Sequence, residues 1–401
     1  MSEQSLKPGW KMVKFGEVVK NANLVERDPE ANDIERIVGL EHIDPENLHI
    51  RRWNSVADGT SFTRKFVPGQ TLFGKRRAYQ RKVAYAEFEG ICSGDILTFE
   101  PKNRKVLLPE LLPFICQSNA FFDHALGTSA GSLSPRTSWT ALQDFEFPLP
   151  PIDEQNRIAE ILWTADESIE KYIEAKSNLS KVARIKENDR FYAFVKLANE
   201  GLIPMVQLND VLAEPISNGI FKKRDHFGSG TLLINVTDIY ESFRVNPLKL
   251  ERVNANAKEV NSFSAMPGDV IFNRSSLVFD GIGKACLVPD CDEPMVFDCH
   301  LMRARPDMSI IDARYLCRFS LSSFGRRYLI SRAQTTTMTT INQGDLGKLP
   351  IPLPSLDEQM TLADMLDQIE SELQALEHHI YTESALRKKL VNEFFGGAIH
   401  V

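Results

Sequence analysis

Between Leu162 and Ala183 an alternating three-four spacing runs through Leu162, Ala165, Ile169, Tyr172, Lys176, Leu179 and Ala183, of which Lys176 is the one charged member. That spacing is the a/d seam of a coiled coil, and it predicts a long amphipathic helix. Adding 204 to each position gives Leu366, Ile369, Leu373, Leu376, Ile380, Glu383 and Arg387, so a second helix keeps the same phase. Each helix follows a proline tract: PLPPIDEQNRIAEIL starts at Pro148 and PLPSLDEQMTLADML at Pro352. Proline fixes φ and favours an extended segment that cannot merge with the helix behind it. Asp153 and Asp357 suit the helix N-terminus that follows.

The rest of the chain repeats in the same order. MVKFGEVV (Met12 to Val19) matches MVQLNDVL (Met205 to Leu212), each an alternating segment that leads into a short helical turn. VGLEHID (Val38 to Asp44) matches INVTDIY (Ile234 to Tyr240), both of strand length. FVPGQTLFGKRR (Phe66 to Arg77) matches AMPGDVIFNRSS (Ala265 to Ser276), a Pro-Gly turn followed by a strand that ends in basic or amide side chains. PELLPFICQSNAF (Pro109 to Phe121) and DARYLCRFSLSSF (Asp312 to Phe324) share a helical apolar pattern, and the hydroxyl-rich tracts GTSAGSLSPRTS (Gly127 to Ser138) and QTTTMTTINQG (Gln334 to Gly344) precede the two proline tracts. Matched segments in one order mean internal duplication, with repeats too long for a solenoid. The domains expected are 1–147, a central tract and helix over 148–200, a second globular domain over 201–351, and a closing tract and helix over 352–401. The fold expected is mixed α/β (α+β), with two duplicated domains about a pseudo-twofold axis. Two long antiparallel helices, paired with each other, hold the domains apart.

A chain of 401 residues, 43% hydrophobic and 25% charged, has an ordinary globular composition. It carries no apolar run of about 20 residues and no signal-peptide plan at its start, which leads to a cytoplasmic expectation. The six cysteines form no CxxC pair and read as reduced and buried; Cys286, Cys291, Cys299 and His300 fit no common zinc spacing, so no metal is expected. The net charge of −7 argues against a generally basic surface, but the charge is uneven. From Arg51 to Lys82 nine cations face Asp58 alone, and from Arg303 to Arg332 seven arginines face two aspartates, whereas Asp357 to Glu393 holds nine acids and three cations. Two basic runs in corresponding halves point to phosphate binding.

No catalytic constellation survives inspection. GTSAG formally matches GxSxG but has no strand before Ser129 and no helix after it, so it reads as a loop; DGIGKA (Asp280 to Ala285) lacks the rest of a phosphate loop. There is no [DN]PP[YF] tetrad, no nuclease PD…(D/E)xK set and no helical histidine pair, since adjacent His378 and His379 fall on the coil.

Duplicated domains, each closed by a PLPxxDEQ tract and a long helix, resemble the specificity subunit of type I restriction-modification systems along essentially the whole chain. The resemblance implies a non-catalytic, DNA-binding subunit with two target-recognition domains that reads a bipartite double-stranded target. It implies two methyltransferase subunits on the helices and restriction subunits outside them. Adenine-N6 methylation, S-adenosylmethionine, ATP and magnesium belong to those partners, with no cofactor in this chain. One departure is Gln70 where the second repeat has Asp269; that Asp reads as turn chemistry. Candidate DNA contacts are Lys75, Arg76, Arg77, Arg81 and Arg136 in the first half, and Lys222, Lys223, Asn273, Arg274 and Lys284 in the second. The seam residues Leu162, Ile169, Tyr172, Leu179, Leu366, Ile369, Leu373, Leu376 and Ile380 are candidates for the coiled-coil and partner interface. The competing readings are a stand-alone pseudo-dimeric DNA-binding regulator or architectural protein, and a catalytic methyltransferase, for which neither half offers a cofactor fold.

Overall fold

A computed structural model describes residues 6–335 and 338–396, and the chain divides into two compact units. The first takes in residues 1–174 together with 376–401, and the second residues 175–375. Each unit therefore contains one repeat's globular part and a stretch of each long helix.

The first unit is built on a four-stranded sheet of β1 (Val19–Asn21), β2 (Thr71–Gly74), β3 (Val83–Tyr85) and β4 (Ile96–Pro101), in the order β1-β4-β2-β3 and antiparallel throughout. A second sheet runs Leu24–Val25, Arg64–Phe66, Gly90–Cys92, Arg36–Val38, Asn54–Ser55, with one parallel pair between Arg36–Val38 and Gly90–Cys92. Helices α1 (Leu112–Gln117) and α2 (Asn119–Gly127) follow, and then α3 (Ile152–Asn199). The apolar run expected to form one helix is broken at Ser118, whose hydroxyl accepts from the Phe121 amide at 3.2 Å and caps α2.

The second unit repeats the plan. Its main sheet has β5 (Leu212–Asn218), β6 (Val270–Asn273), β7 (Ala285–Leu287) and β8 (Leu301–Pro306) in the order β5-β8-β6-β7. A second four-stranded sheet again holds one parallel pair, Phe227–Ile234 with Met295–Phe297. Helices α4 (Ala313–Leu321) and α5 (Ser323–Ser331) are divided by Ser322, which caps α5 as Ser118 caps α2, and α6 (Leu356–Phe395) closes the unit. Both proline tracts enter short two-stranded pairings, Met12 opposite Pro148 and Met205 opposite Pro352, where the missing proline N–H costs no central ladder bond.

The seam positions of α3 and α6 are buried or half-buried along their whole length, and their neighbours toward solvent are mostly exposed. Inside the first unit the two helices run antiparallel: Asp166 pairs with Arg387, and the Tyr172 ring stacks on His379 with centroids 5.1 Å apart. The expectation that the seams mainly cover each other needs correction near Leu162 and Leu366. There the stripe is absorbed by the globular cores: Ile158 and Leu162 lie in one cluster with Phe73, Phe114, Val391 and Phe395, and Leu362 and Leu366 in another with Phe191, Phe272 and Phe319. Burying one such leucine contributes about 1.5–3 kcal/mol, so the helices are part of each unit's core.

The DEQ triplet owes its recurrence to its glutamine. Gln155 is buried; its Oε1 accepts from the Leu108 amide at 3.0 Å, and its Nε2 donates to the carbonyls of Val106 at 2.8 Å and Pro150 at 2.9 Å. Gln359 does the same with the Asp312 amide at 2.9 Å and the carbonyls of Ile310 at 3.3 Å and Pro354 at 2.9 Å. Each glutamine thus bolts a helix start both to its proline tract and to the loop ahead of the first domain helix. The aspartates emphasised by sequence reading, Asp153 and Asp357, are exposed in the first turn.

Candidate nucleic-acid interface

The strand-end segments and the hydroxyl-rich tracts, far apart in sequence, meet at one place in each unit. After β2 the chain passes through Lys75, and three backbone bonds fix it. The Gly74 amide donates to the Lys82 carbonyl at 2.9 Å, the Lys75 amide to Asp95 at 2.9 Å, and the Thr137 amide to the Lys75 carbonyl at 3.1 Å. After β6 the same three bonds recur. The Asn273 amide donates to Lys284 at 2.8 Å, the Arg274 amide to His300 at 2.9 Å, and the Ile341 amide to the Arg274 carbonyl at 3.0 Å. Lys75 and Arg274 are therefore equivalent positions, each gripped between a strand-end loop and the hydroxyl-rich tract. The tract is attached by further pairing, Arg76 with Arg136 in the first unit and Ser275–Ser276 with Thr339–Thr340 in the second. Thr336 and Thr337 of the second tract lie outside the described residues.

In the first unit this cradle gathers Lys75, Arg76, Arg77 and Arg136. Arg136 grips Asp95 with two nitrogens at 2.9 and 3.4 Å, Arg76 reaches the same carboxylate at 3.4 Å, and Arg76 and Arg77 both donate to the Ser134 hydroxyl, at 3.1 and 3.4 Å. The Asp95 carboxyl is held below its usual range, first by the Arg136 hydrogen bond and then by Arg76, against the effect of burial. Lys75 is pulled below the usual lysine range by burial and by the nearby guanidinium groups of Arg64 and Arg136, with Asp95 opposing. Like charges crowded around a single carboxylate leave a surplus of positive potential, suited to an anion. Arg77 holds a left-handed backbone with φ of 54°, uncommon for a residue with a Cβ.

Other candidates fall elsewhere. Arg81 is tied to the Gln117 carbonyl at 2.8 Å and to Glu46 at 2.9 Å, with its guanidinium 4.3 Å from the Phe122 ring centroid, a set of contacts that braces the fold. Asn273 is fully buried: its Nδ2 donates to Tyr240 Oη at 2.5 Å and to the Gly281 carbonyl at 2.9 Å, so it shapes the loop and cannot offer its amide to a base. Lys222 and Lys223 belong to a different loop, after β5; Lys222 is paired with Glu259 at 2.8 Å and Lys223 is exposed. Arg274 and Lys284 remain half-exposed at the two feet of the loop joining β6 to β7. Next to Arg274, ligand atoms of Asp298, Cys299 and His300 lie within 4.8 Å of one another, whereas the Cys286 thiol faces the carbonyls of Ser242 and Phe243. Ser129 follows a helix, with its hydroxyl on the Ala125 carbonyl at 2.7 Å, and forms no nucleophile elbow.

Folding narrows the basic runs as phosphate-binding surfaces, because many of their charges outside the cradle are paired with acids. Arg51 meets Glu170, Arg52 meets Asp44 and Lys65 meets Glu89. In the second run Arg303 and Arg305 share Glu214, and Arg305 grips the buried Asp269 at 2.8 and 2.9 Å. Arg314 and Arg318 reach Asp367 of α6 at 3.2 and 2.7 Å, and Arg318 also reaches Glu370 at 3.1 Å, while Arg244 joins both acids from its own loop. The acid-rich helix and the arginine-rich segment are complementary parts of one packed interface. Sequence reading missed these residues because pairing depends on which acids the helix brings close.

Both globular halves match the family model for the type I restriction modification DNA specificity domain, over residues 8–178 and 174–383. The type I restriction enzyme MjaVIII specificity subunit of Methanocaldococcus jannaschii is 23% identical over 392 residues, covering 94% of this chain and 84% of its own. The EcoDI specificity subunit of Escherichia coli is 31% identical over 137 residues, 31% of this chain and 30% of its own. Among solved structures, the type I restriction-modification S subunit of M. genitalium aligns with a TM-score of 0.58 at 12% identity, covering 98% of each chain. A chain from a structural study of complex assembly and conformational transition in a type I R-M system aligns with a TM-score of 0.57 at 20% identity, covering 98% of this chain and 100% of that one. These structural likenesses carry the fold.

Proposed function

Since the chain belongs to the type I restriction-modification DNA specificity family, matched along both repeats, we propose that each unit's strand-end cradle meets one half of a bipartite DNA target. The chain is the DNA-specificity subunit, a non-catalytic component of the restriction-modification enzyme. The observation that carries the siting of DNA is the repeated three-bond cradle, which presents Lys75 in one unit and Arg274 in the other from the same backbone position. Phosphate contacts from Lys75, Arg76, Arg77 and Arg136 supply affinity and register, and hydroxyl and amide groups of the adjoining tract supply groove contacts. Lys223, Arg274 and Lys284 remain as contacts in the second unit.

Methyltransferase and restriction subunits are the protein partners in this reading. Adenine-N6 methylation with S-adenosylmethionine, and ATP- and magnesium-dependent restriction, reside in them. The buried seam residues such as Leu162, Ile169 and Leu366 are covered already and leave partner docking to the other helix faces. Those faces expose Ile161, Val182 and Ile185 on α3 and Tyr381 and Leu386 on α6. Such apolar exposure on helices favours a protein partner over the stand-alone regulator. Among the described residues no helix is long and apolar enough to cross a membrane.

The test is a salt titration of the chain with its cognate methyltransferase. Replacing Lys75, Arg76 and Arg77 by alanine should weaken DNA binding and flatten the slope of log K against log salt by up to about 0.9 per lost phosphate contact. An unchanged slope in a folded variant assigns the three to a solvated surface.

A further inference from the structure

The loop joining β6 to β7 carries Leu277, Val278 and Phe279 with 85%, 69% and 51% of their surfaces exposed. Single exposed apolar residues are common, but three in succession on one loop tip are not a solvated surface. The loop beneath them is braced. The Gly281 carbonyl accepts from Asn273 Nδ2 at 2.9 Å and from Tyr240 Oη at 3.0 Å, and the Arg326 guanidinium donates to the carbonyls of Asp280, at 2.7 Å, and Ile282. Within the tip, the Val278 amide donates to Ser276 Oγ at 3.1 Å and the Gly281 amide to the Val278 carbonyl at 2.9 Å. Side chains of Asn273, Tyr240 and Arg326 thus hold an apolar tip out in water, an arrangement that lowers the ordering cost of binding.

Charge selects the occupant. Arg274 and Lys284 stand at the feet of the loop and Arg326 beneath it, against the one carboxylate of Asp280 within the loop. A cation-footed protrusion fits a polyanion. The major groove, about 12 Å wide, admits a two-stranded ribbon, and the apolar group on its base edges is the C5-methyl of thymine; the minor-groove edges offer none. We propose that Leu277, Val278 and Phe279 form an apolar reading tip that packs against thymine methyl groups in the major groove of the half-site bound by the second unit. The inference rests on the DNA reading above. The corresponding loop of the first unit is shorter and carries one exposed ring, Tyr79, between Arg77 and Arg81, so the two half-sites should depend on thymine methyls to different degrees.

The experiment uses the chain with its methyltransferase subunits on its natural target. The second unit's half-site is identified as the one that changes when residues 201–351 are exchanged for those of a relative. Thymines in that half-site are replaced one at a time by deoxyuridine, which removes only the methyl. Wild-type affinity should fall by about fourfold at each contacted position, the worth of one buried methyl group. The variant Leu277→Ser/Val278→Ser/Phe279→Ser should bind more weakly and be indifferent to the same replacements, while keeping the first half-site's preferences and the wild-type urea midpoint, the latter reporting that the unit carrying the loop is folded. Deoxyuridine effects that are absent in the wild type, or equal in the variant, overturn the proposal. So does a variant that keeps its DNA affinity but no longer retains the methyltransferase, which assigns the tip to a protein contact. Failure of the wild-type complex to bind any specific site removes the DNA reading itself, a result distinct from each of these.

Discussion

Gln155 and Gln359 make three hydrogen bonds each from buried amides, and a leucine in their place leaves one amide N–H and two carbonyls without partners. At about 1–3 kcal/mol for each unsatisfied buried group, partly relieved by water entry, either Gln→Leu change should cost about 2–4 kcal/mol, measured by urea unfolding. The motif itself was legible in the sequence, but its key residue was not, because a glutamine's value lies in which carbonyls surround it. The Gln70 and Asp269 difference resolves in the same terms. Asp269 caps its turn, accepting from the Met266 amide at 2.7 Å, and grips Arg305; Gln70 accepts from Val67 at 3.1 Å and donates to Glu100 at 2.7 Å. The turn chemistry is common to both, and the charge has moved from the turn to the facing strand. Asp269→Ala should therefore cost about 3–5 kcal/mol, since it leaves the mostly buried Arg305 with Glu214 alone, and Gln70→Ala less, about 1.5–3 kcal/mol. Equal losses would contradict the exchange of roles.

At the scale of elements, the duplication, the strand that ends at Lys75 or Arg274, and both long helices could be read from periodicity. The breaks at Ser118 and Ser322 could not, because the apolar pattern runs through them while the serine hydroxyl recaps the chain. Nor could the partial pairing of the basic runs, because segregated charge along a sequence says nothing of pairing in space. The packing of α6 on the second domain is the clearest case. Burial alone would raise the Asp367 carboxyl, but the Arg318, Arg244 and Arg314 guanidinium groups outweigh it and hold the carboxyl below its ordinary range. A carboxyl lowered in the folded state stabilises above its unfolded value of about 3.9, and that stabilisation is lost as pH falls through the folded value. Asp367→Asn should thus lower stability at neutral pH, and the gap to the wild type should close as the solution is acidified below about pH 4. A gap that stays constant down to the most acid conditions would show that the pairing contributes nothing. Arg318→Ala, which removes its contacts to both Asp367 and Glu370, should cost about 2 kcal/mol at neutral pH.

For the whole molecule, each unit carries its own sheets, its own core and its own copy of the cradle, with the other repeat's helix contributing to the packing. With the proposed recognition surface self-contained in each unit, the two halves of the target should be read independently. The sequence showed this organisation through repetition, and left the bases unreadable because base choice depends on the side chains that reach the groove. Independent reading of the two half-sites is tested by exchanging residues 1–147 for the equivalent segment of a relative with a different target and sequencing the methylated sites in a host that supplies the methyltransferase. The expected result is a new first half-site joined to an unchanged second one. Loss or alteration of both half-sites, in a chimera that folds and retains its methyltransferase, would contradict it.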